Sequence, residues 1–261
     1  FYGIKMLSFN ALNIMKFQLS IIIPLFNEAE SIVLLAQRIE ERLKGISWQC
    51  IWVNDGSTDN SLEVLNSLRV RNSQHEIIDL QQNYGQSAAL KMGFQFSEGK
   101  YIGTLDGDGQ NDPSDLGKML NLLEQNDFDV VNGYRVSRQD SIGRIISSKI
   151  ANIARNIITK ESEVRDVGCS PRVFRRECVE HVPLFKGMHR FLPTLIKMNG
   201  FKMHQIPVNH YQRANGKTKY TMNNRLWVGL IDLFAVRWML KRLVFPKVKS
   251  ITMNKNEVTQ K

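Results

Sequence analysis

Four short apolar runs between Leu19 and Leu105, separated by amphipathic segments, constrain this chain more than any other feature. Leu19–Leu25 (LSIIIPL) reads as a buried strand. Ile32, Leu35, Ala36, Ile39 and Leu43 recur at helical spacing, so residues 29–44 read as a helix. Cys50–Val53, Ile77–Leu80 and Tyr101–Leu105 read as further strands, with helices over Ser61–Val70 and Ser87–Phe96. Such alternation builds a mostly parallel sheet with helices on both faces. Ligands of such sheets sit outside the carboxyl ends of the strands.

A polar cluster stands at each of those ends. Pro24-Leu25-Phe26-Asn27-Glu28 follows the first strand, and Asn54-Asp55-Gly56-Ser57-Thr58-Asp59 the second. Alone, each reads as a turn with a helix cap. In Asn83-Tyr84-Gly85-Gln86-Ser87-Ala88-Ala89-Leu90-Lys91, small residues let backbone approach a ligand closely. Leu105-Asp106-Gly107-Asp108-Gly109-Gln110 places two carboxylates at i and i+2. Like charges that close raise each other's pKa unless a cation stands between them, and oxygen ligands favour Mg²⁺ or Mn²⁺. A calcium EF-hand loop fails on spacing, because Asn111 replaces its glycine and Gly117 its glutamate.

Composition narrows the class. The 261 residues suit one large domain, and 43% hydrophobic with 23% charged residues excludes a disordered chain. Cys50, Cys169 and Cys178 include no CxxC, which excludes a disulfide framework and a cysteine-only zinc site and makes a reducing setting the default. No uncharged apolar run approaches the roughly 18 residues of a spanning helix. The net charge is +10, and the segment from Gln212 to Lys261 carries +9 of it. A basic, aromatic-bearing tail points to an anionic partner. A nucleic-acid-binding module lacks zinc-finger spacing and any aromatic RNP pattern, so nucleic acid is not the expected partner.

The ordered set PLFNE, VNDGSTDNS, NYGQSAALKMG and DGDGQNDP resembles the inverting glycosyltransferases of family two, from about Leu19 to Tyr220. That resemblance implies a GT-A, Rossmann-like α/β fold. It implies that Pro24, Asn27, Glu28 and Asp55 contact the base and ribose of a nucleotide-sugar donor. It also implies that Asp106 and Asp108 form a DxD pair, with Gln110 as a further ligand of Mg²⁺ or Mn²⁺.

The second half is similar to the polyprenyl-phosphate branch, typified by dolichol-phosphate mannosyltransferases. Asn132-Gly133-Tyr134-Arg135 follows an expected edge strand, Phe128–Val131. Arg144 and Ser148 stand one helical turn apart, Arg165-Asp166-Val167-Gly168 follows, and Arg213-x-x-Gly216-x-x-Lys219-Tyr220 closes the set. Cys169-Ser170-Pro171 departs from the usual Ser-Gly pair. The resemblance implies that Arg135, Arg144 and Ser148 hold a lipid phosphate. It puts Asp166 near the reacting centre and closes Arg213 and Lys219 on the donor diphosphate. Asp108, Asp166 and Arg135 are then the residues expected to carry catalysis. His189, beside Phe191 and Leu192, reads as structural or as an acceptor-side residue, not a base. A processive synthase of the same fold is the alternative, but Phe234 stands where its Q-x-x-R-W motif needs glutamine.

The expected organisation is an extension over 1–15 with no function assigned, a catalytic domain over 16–222 and a basic amphipathic tail over 223–261. Leu226–Phe245 carries Asp232, Arg237, Lys241 and Arg242, which argues against spanning. It reads either as a helix lying in the membrane interface or as one packed on the domain. The first reading makes the chain peripheral, on the cytoplasmic face of a membrane.

Overall fold

The computed structural model describes residues 15–136, 164–180, 182–211 and 225–242. In chain order the strands are β1 Phe17–Leu25, β2 Trp48–Asn54, β3 His75–Asp79, β4 Gly99–Thr104, β5 Val130–Arg135, β6 Arg172–Arg175 and β7 Met203–Val208. The helices are α1 Ala29–Arg42, α2 Ser61–Arg71, α3 Gln86–Phe96, α4 Ser114–Gln125, α5 Glu177–Glu180, α6 Leu192–Met198 and α7 Arg225–Arg242. A 3₁₀ turn, Met188–Phe191, precedes α6.

The strands form one sheet in the order β3-β2-β1-β4-β6-β5-β7. β1 runs parallel to β2 and β4, and β2 to β3. β6 is antiparallel to both its neighbours, and β7 is parallel to β5. The chain leaves β1 toward β2 and β3 on one side and returns as β4 on the other. That reversal opens a crevice at the carboxyl ends of β1 and β4.

β1 is buried from Leu19 to Leu25, as its unbroken apolar run requires. Its residues alternate between two cores. Ile21, Ile23 and Leu25 pack with Ile32, Leu35 and Ile39 of α1 and with Leu116, Met119 and Leu120 of α4. Ile22 faces the other side, with Ala89, Leu90 and Phe94 of α3, Leu192 and Leu195 of α6, and Leu233 and Val236 of α7.

Each of the first four strands starts two residues before the apolar run that betrays it. Phe17-Gln18, Trp48-Gln49, His75-Glu76 and Gly99-Lys100 pair in the ladder without extending that run. Phe128–Val131 is corrected in place and role. The strand is Val130–Arg135, and it is interior, because β6 covers one side and β7 the other. Asn132 to Arg135 therefore carry ladder bonds instead of forming a loop.

A buried polar pair braces β2 and β3 against α1. His75 is fully buried, and its Nδ1 accepts the Trp52 indole N–H at 3.1 Å. Its other nitrogen therefore carries the proton and meets Glu40 Oε1 at 3.0 Å. Burial holds the His75 pKa below 6.5, against the pull of Glu40. Burial raises that of Glu40, but hydrogen bonds from Asn72 and His75 outweigh it and leave the carboxyl below 4.5. Both shifts act in one direction with pH. The unfolded chain takes up a proton at His75 below about 6.5 that the folded chain refuses, and at Glu40 below about 4.5 likewise. Stability is thus predicted to fall as pH drops below 6.5. His75→Gln should flatten that slope in urea titrations at pH 5 to 7, at a cost of about 2 kcal/mol at pH 7. An unchanged slope in the variant would remove His75 from the account.

Candidate active site

Four loops meet at the carboxyl ends of β1 to β4, and side chains of each fasten the next. Asn27, in the first, has φ 54°, a conformation asparagine tolerates better than most residues. Its Oδ1 accepts the Thr58 N–H at 2.7 Å, and its own N–H donates to Ser57 Oγ at 2.9 Å. Asn27 thus stitches the first loop to the second and does not cap α1. Asp59 does so instead, accepting the Ala29 N–H at 3.3 Å. Glu28 donates its N–H to Ser61 Oγ, and Pro24 lies buried at the end of β1, opposite Val53.

Asp55 joins the second loop to the third. Its two carboxylate oxygens accept the N–H groups of Tyr84 and Gly85, each at 2.8 Å, and the residue is buried. Gln86, the first residue of α3, reaches the fourth loop and donates Nε2–H to Asp106 Oδ1 at 3.0 Å.

The fourth loop is fixed from all sides. Asn111 Oδ1 accepts the Asp106 N–H at 2.9 Å, and Asp108 Oδ1 accepts the Gln110 N–H at 3.1 Å. From α1, Ser31 Oγ donates to the Gly107 carbonyl and Arg38 to that of Gly109. Gly107 must lack a side chain, since a Cβ there would stand 2.9 Å from Leu25 Cβ and 3.1 Å from the Pro24 carbonyl. Gln110 donates Nε2–H to the Tyr211 carbonyl at 3.1 Å, and Tyr211 returns its N–H to the Gln110 carbonyl at 2.8 Å. The Tyr211 hydroxyl donates to Asp112 at 2.8 Å, and Arg38 lies over the Tyr211 ring.

The second half supplies the other wall. Arg135, at the end of β5, grips Asp166 with two bonds, Nε to Oδ2 at 2.8 Å and Nη2 to Oδ1 at 3.2 Å. Asp166 is buried, so the pair has the two-pronged geometry that orients a guanidinium firmly. Arg172 stands on β6 between Thr104 of β4 and Asn132 of β5. It is buried, and donates to the carbonyls of Val167 at 2.7 Å and His189 at 3.3 Å.

The two walls touch where Thr104 Oγ1, at the end of β4, donates to the Ser170 carbonyl at 2.6 Å. Burial, then the charge of Asp108, pushes the Asp106 carboxyl up to about 6, while a Ser170 hydrogen bond, Arg172 and Arg135 pull it down. Asp106 and Asp108 are oxygen donors held close, on half-buried residues, and Arg172 and Arg135 offset their repulsion only in part. That donor set fits a hard divalent cation. Among the described residues no three His, Cys, Asp or Glu side chains gather as a metal site by themselves. Two protein carboxylates suit a metal that takes its remaining ligands from a substrate diphosphate.

The structure therefore brings together Asp106, Asp108, Gln110, Asp166 and Arg135, and sets Pro24, Asn27, Glu28 and Asp55 around the crevice of the first two loops. Arg144, Ser148, Arg213 and Lys219 lie outside the described residues. Sequence reasoning missed Gln86 and Arg172. Gln86 lies in a motif whose local signal is its small residues. Arg172 sits in a four-residue antiparallel strand whose period is too short to read.

Comparison with known proteins follows the same lines. The model of glycosyl transferase family 2 matches residues 20–182. A dodecaprenyl-phosphate galacturonate synthase from Rhizobium johnstonii is 32% identical over 234 residues, covering 87% of this chain and 69% of that protein. An undecaprenyl-phosphate 4-deoxy-4-formamido-L-arabinose transferase from Photorhabdus laumondii is 37% identical over 209 residues, covering 78% of this chain and 63% of its own. The chain thus spans about two thirds of the length of these relatives. Among solved structures, glucosyl-3-phosphoglycerate synthase from Mycobacterium tuberculosis, in complex with Mn²⁺, UDP and phosphoglyceric acid, shares the fold with TM-score 0.65 at 15% identity, over 88% of this chain and 80% of that one. A mannosyltransferase from Pyrobaculum calidifontis with GDP-Man and Mn²⁺ does so with TM-score 0.62 at 15% identity, over 88% and 66%. The sheet and its four fastened loops make a GT-A fold, and the chain belongs to glycosyl transferase family 2.

Proposed function

We propose that this chain transfers one sugar from a nucleotide diphosphate sugar, with GDP or UDP as the nucleotide, to a polyprenyl phosphate such as undecaprenyl or dolichyl phosphate. The observation that carries this reading is the placing of the Asp106–Asp108 loop beside the Arg135–Asp166 pair, joined by the hydrogen bond from Thr104 to the Ser170 carbonyl. Relatives at 32% and 37% identity that are named for dodecaprenyl- and undecaprenyl-phosphate substrates support the acceptor class.

Asp106 and Asp108 would hold Mg²⁺ or Mn²⁺, with Gln110 as a further ligand through its amide oxygen. When bound, that ion neutralises the charge developing on the departing diphosphate. Pro24, Asn27, Glu28 and Asp55 line the base and ribose end, with Arg213 and Lys219 assigned to the diphosphate. Arg135, Arg144 and Ser148 receive the acceptor phosphate. Asp166 keeps the Arg135 guanidinium turned toward that phosphate and stands near the reacting centre. An oxygen of the acceptor phosphate is anionic near neutral pH, so it attacks the anomeric carbon without a strong general base. Its new bond forms opposite the bond to the diphosphate, and the anomeric centre inverts. The residues contribute position and charge.

α7 is assigned to the membrane surface. No described helix is long and apolar enough to cross a membrane. One face of α7 buries Leu233 and Val236 in the domain. The opposite face exposes Ile231, Phe234 and Trp238, and Lys241 and Arg242 share that face by helical periodicity. Apolar and aromatic area flanked by cations fits an anionic bilayer, on the cytoplasmic face where a nucleotide sugar is at hand.

Three outcomes test this. EDTA should abolish transfer, and Mn²⁺ or Mg²⁺ restore it, while Asp108→Ala should lower kcat by roughly a thousandfold or more; full activity in EDTA refutes the metal assignment. Arg135→Lys should raise KM for the lipid phosphate about tenfold and leave nucleotide affinity unchanged in calorimetry; lost nucleotide affinity with a normal acceptor KM would mean that the two sides of the site are reversed. Phe234→Ser with Trp238→Ser should weaken co-sedimentation with anionic liposomes, and added salt should weaken it further without eliminating it. Undiminished vesicle binding by the double variant would leave α7 a packing helix alone.

A further inference from the structure

The turn Gly187–Phe191 is a junction of three elements, and one of its contacts is costly. Gly187 has φ +93°, and a Cβ built there would lie 2.8 Å from Asp232 Oδ2 of α7. The Asp232 carboxylate thus wedges against the bare face of Gly187. Oδ2 is buried without a hydrogen-bond partner among the described residues. Burial raises the Asp232 pKa, and Arg190 is the cation that opposes the shift. A buried carboxylate oxygen left unpaired opposes folding. It sits beside Leu233, on a helix that packs through apolar side chains. Apart from the cation of Arg190, nothing in that packing calls for a carboxylate, so its use lies in what it touches.

What it touches leads to both walls of the crevice. Ser87 Oγ accepts the N–H groups of Gly187 at 3.1 Å and His189 at 3.3 Å. With both lone pairs engaged, its O–H donates to His189 Nδ1 at 2.9 Å. Ser87 follows Gln86, which holds Asp106. On the other side the His189 carbonyl accepts from Arg172, whose second arm holds Val167, the neighbour of Asp166.

We propose that Asp232 is a positioning residue for sugar transfer, wedging the Gly187–Phe191 turn into the place from which Ser87 and Arg172 set the two carboxylate loops. This rests on the glycosyl-transfer reading above. It gives α7 a second task, independent of its exposed face.

The test uses the full chain and a water-soluble short-prenyl phosphate, so that vesicle docking plays no part. Asp232→Ala should lower kcat about tenfold. UDP and GDP affinity in the presence of Mn²⁺, and the thermal midpoint, should hold or rise, because an unpaired buried oxygen has been removed. Asp232→Asn keeps the wedge and should restore kcat to within about twofold of the parent. The His189 imidazole signal, assigned in ¹³C-histidine-labelled protein with His189→Gln, should move in Asp232→Ala and not in Asp232→Asn. Parental kcat and an unmoved His189 signal in Asp232→Ala would overturn the proposal, as would an asparagine variant no better than alanine. Should the parent transfer no sugar to any polyprenyl phosphate, the functional reading fails, and the His189 signal alone still decides whether Asp232 places the turn.

Discussion

Leu19 to Leu25 of β1 are buried between two separate apolar cores, one under α1 and α4 and the other under α3, α6 and α7. A strand covered on both faces has no side on which to display chemistry. Its polar continuation, Asn27 and Glu28, can appear only past its end. The same burden falls on β2 and β4, so Asp55 and Asp106 emerge at neighbouring points of one rim. Flexible loops would then leave these groups dispersed. Instead each loop spends a side chain on the next, from Asn27 to Thr58, Asp55 to Tyr84 and Gly85, and Gln86 to Asp106. The rim is rigid because buried strands aim it and cross-loop hydrogen bonds lock it.

Charge is arranged on that rim in alternation. Asp106 and Asp108 repel, Arg172 and Arg135 oppose them, and Asp166 orients Arg135. Arg172 satisfies two backbone carbonyls while it offsets the carboxylates, so one buried cation serves both packing and electrostatics. Burial, and then the charge of Asp108, still hold Asp106 at about 6. A site fully neutralised by its own residues would have little affinity for a cation, whereas one left acidic is ready for it.

The legible part of this protein is its first half. Parallel strands buried on both faces announce themselves as apolar runs, and their ends mark where the polar clusters belong. Asp106 and Asp108 could be singled out because two carboxylates one residue apart carry their own electrostatic problem. The strand starts are not legible, since Gln18, Gln49, Glu76 and Lys100 are polar and interrupt the apolar run that marks each strand. β6 was not legible, because four residues give no period and an arginine at its head reads as a solvated charge. β5 reads as an edge for the same reason, since its role depends on what inserts beside it. Asn27 and Asp55 could be placed at the rim, but not their partners. A carboxylate that binds backbone N–H groups 29 and 30 residues away leaves no local signature.

α7 packs on the domain with one stripe and exposes a second, and the reason is geometrical. From sequence, packing against the domain and facing a membrane are alternatives, because apolar residues stand on more than one side of the segment. A helix has room for both when its stripes lie on opposite sides. Leu233 and Val236 fill one side, and Ile231, Phe234 and Trp238 occupy the other. Asp232 then sits at the border of the buried stripe, against Gly187, where a helix meant only for adhesion would carry leucine. Whatever surface takes up the outer stripe is therefore connected, through one carboxylate and one turn, to the arginine that faces Asp106. On the proposed reading the acceptor is held in a bilayer, the chemistry has to be oriented to that bilayer, and a helix shared between the two is the shortest physical route.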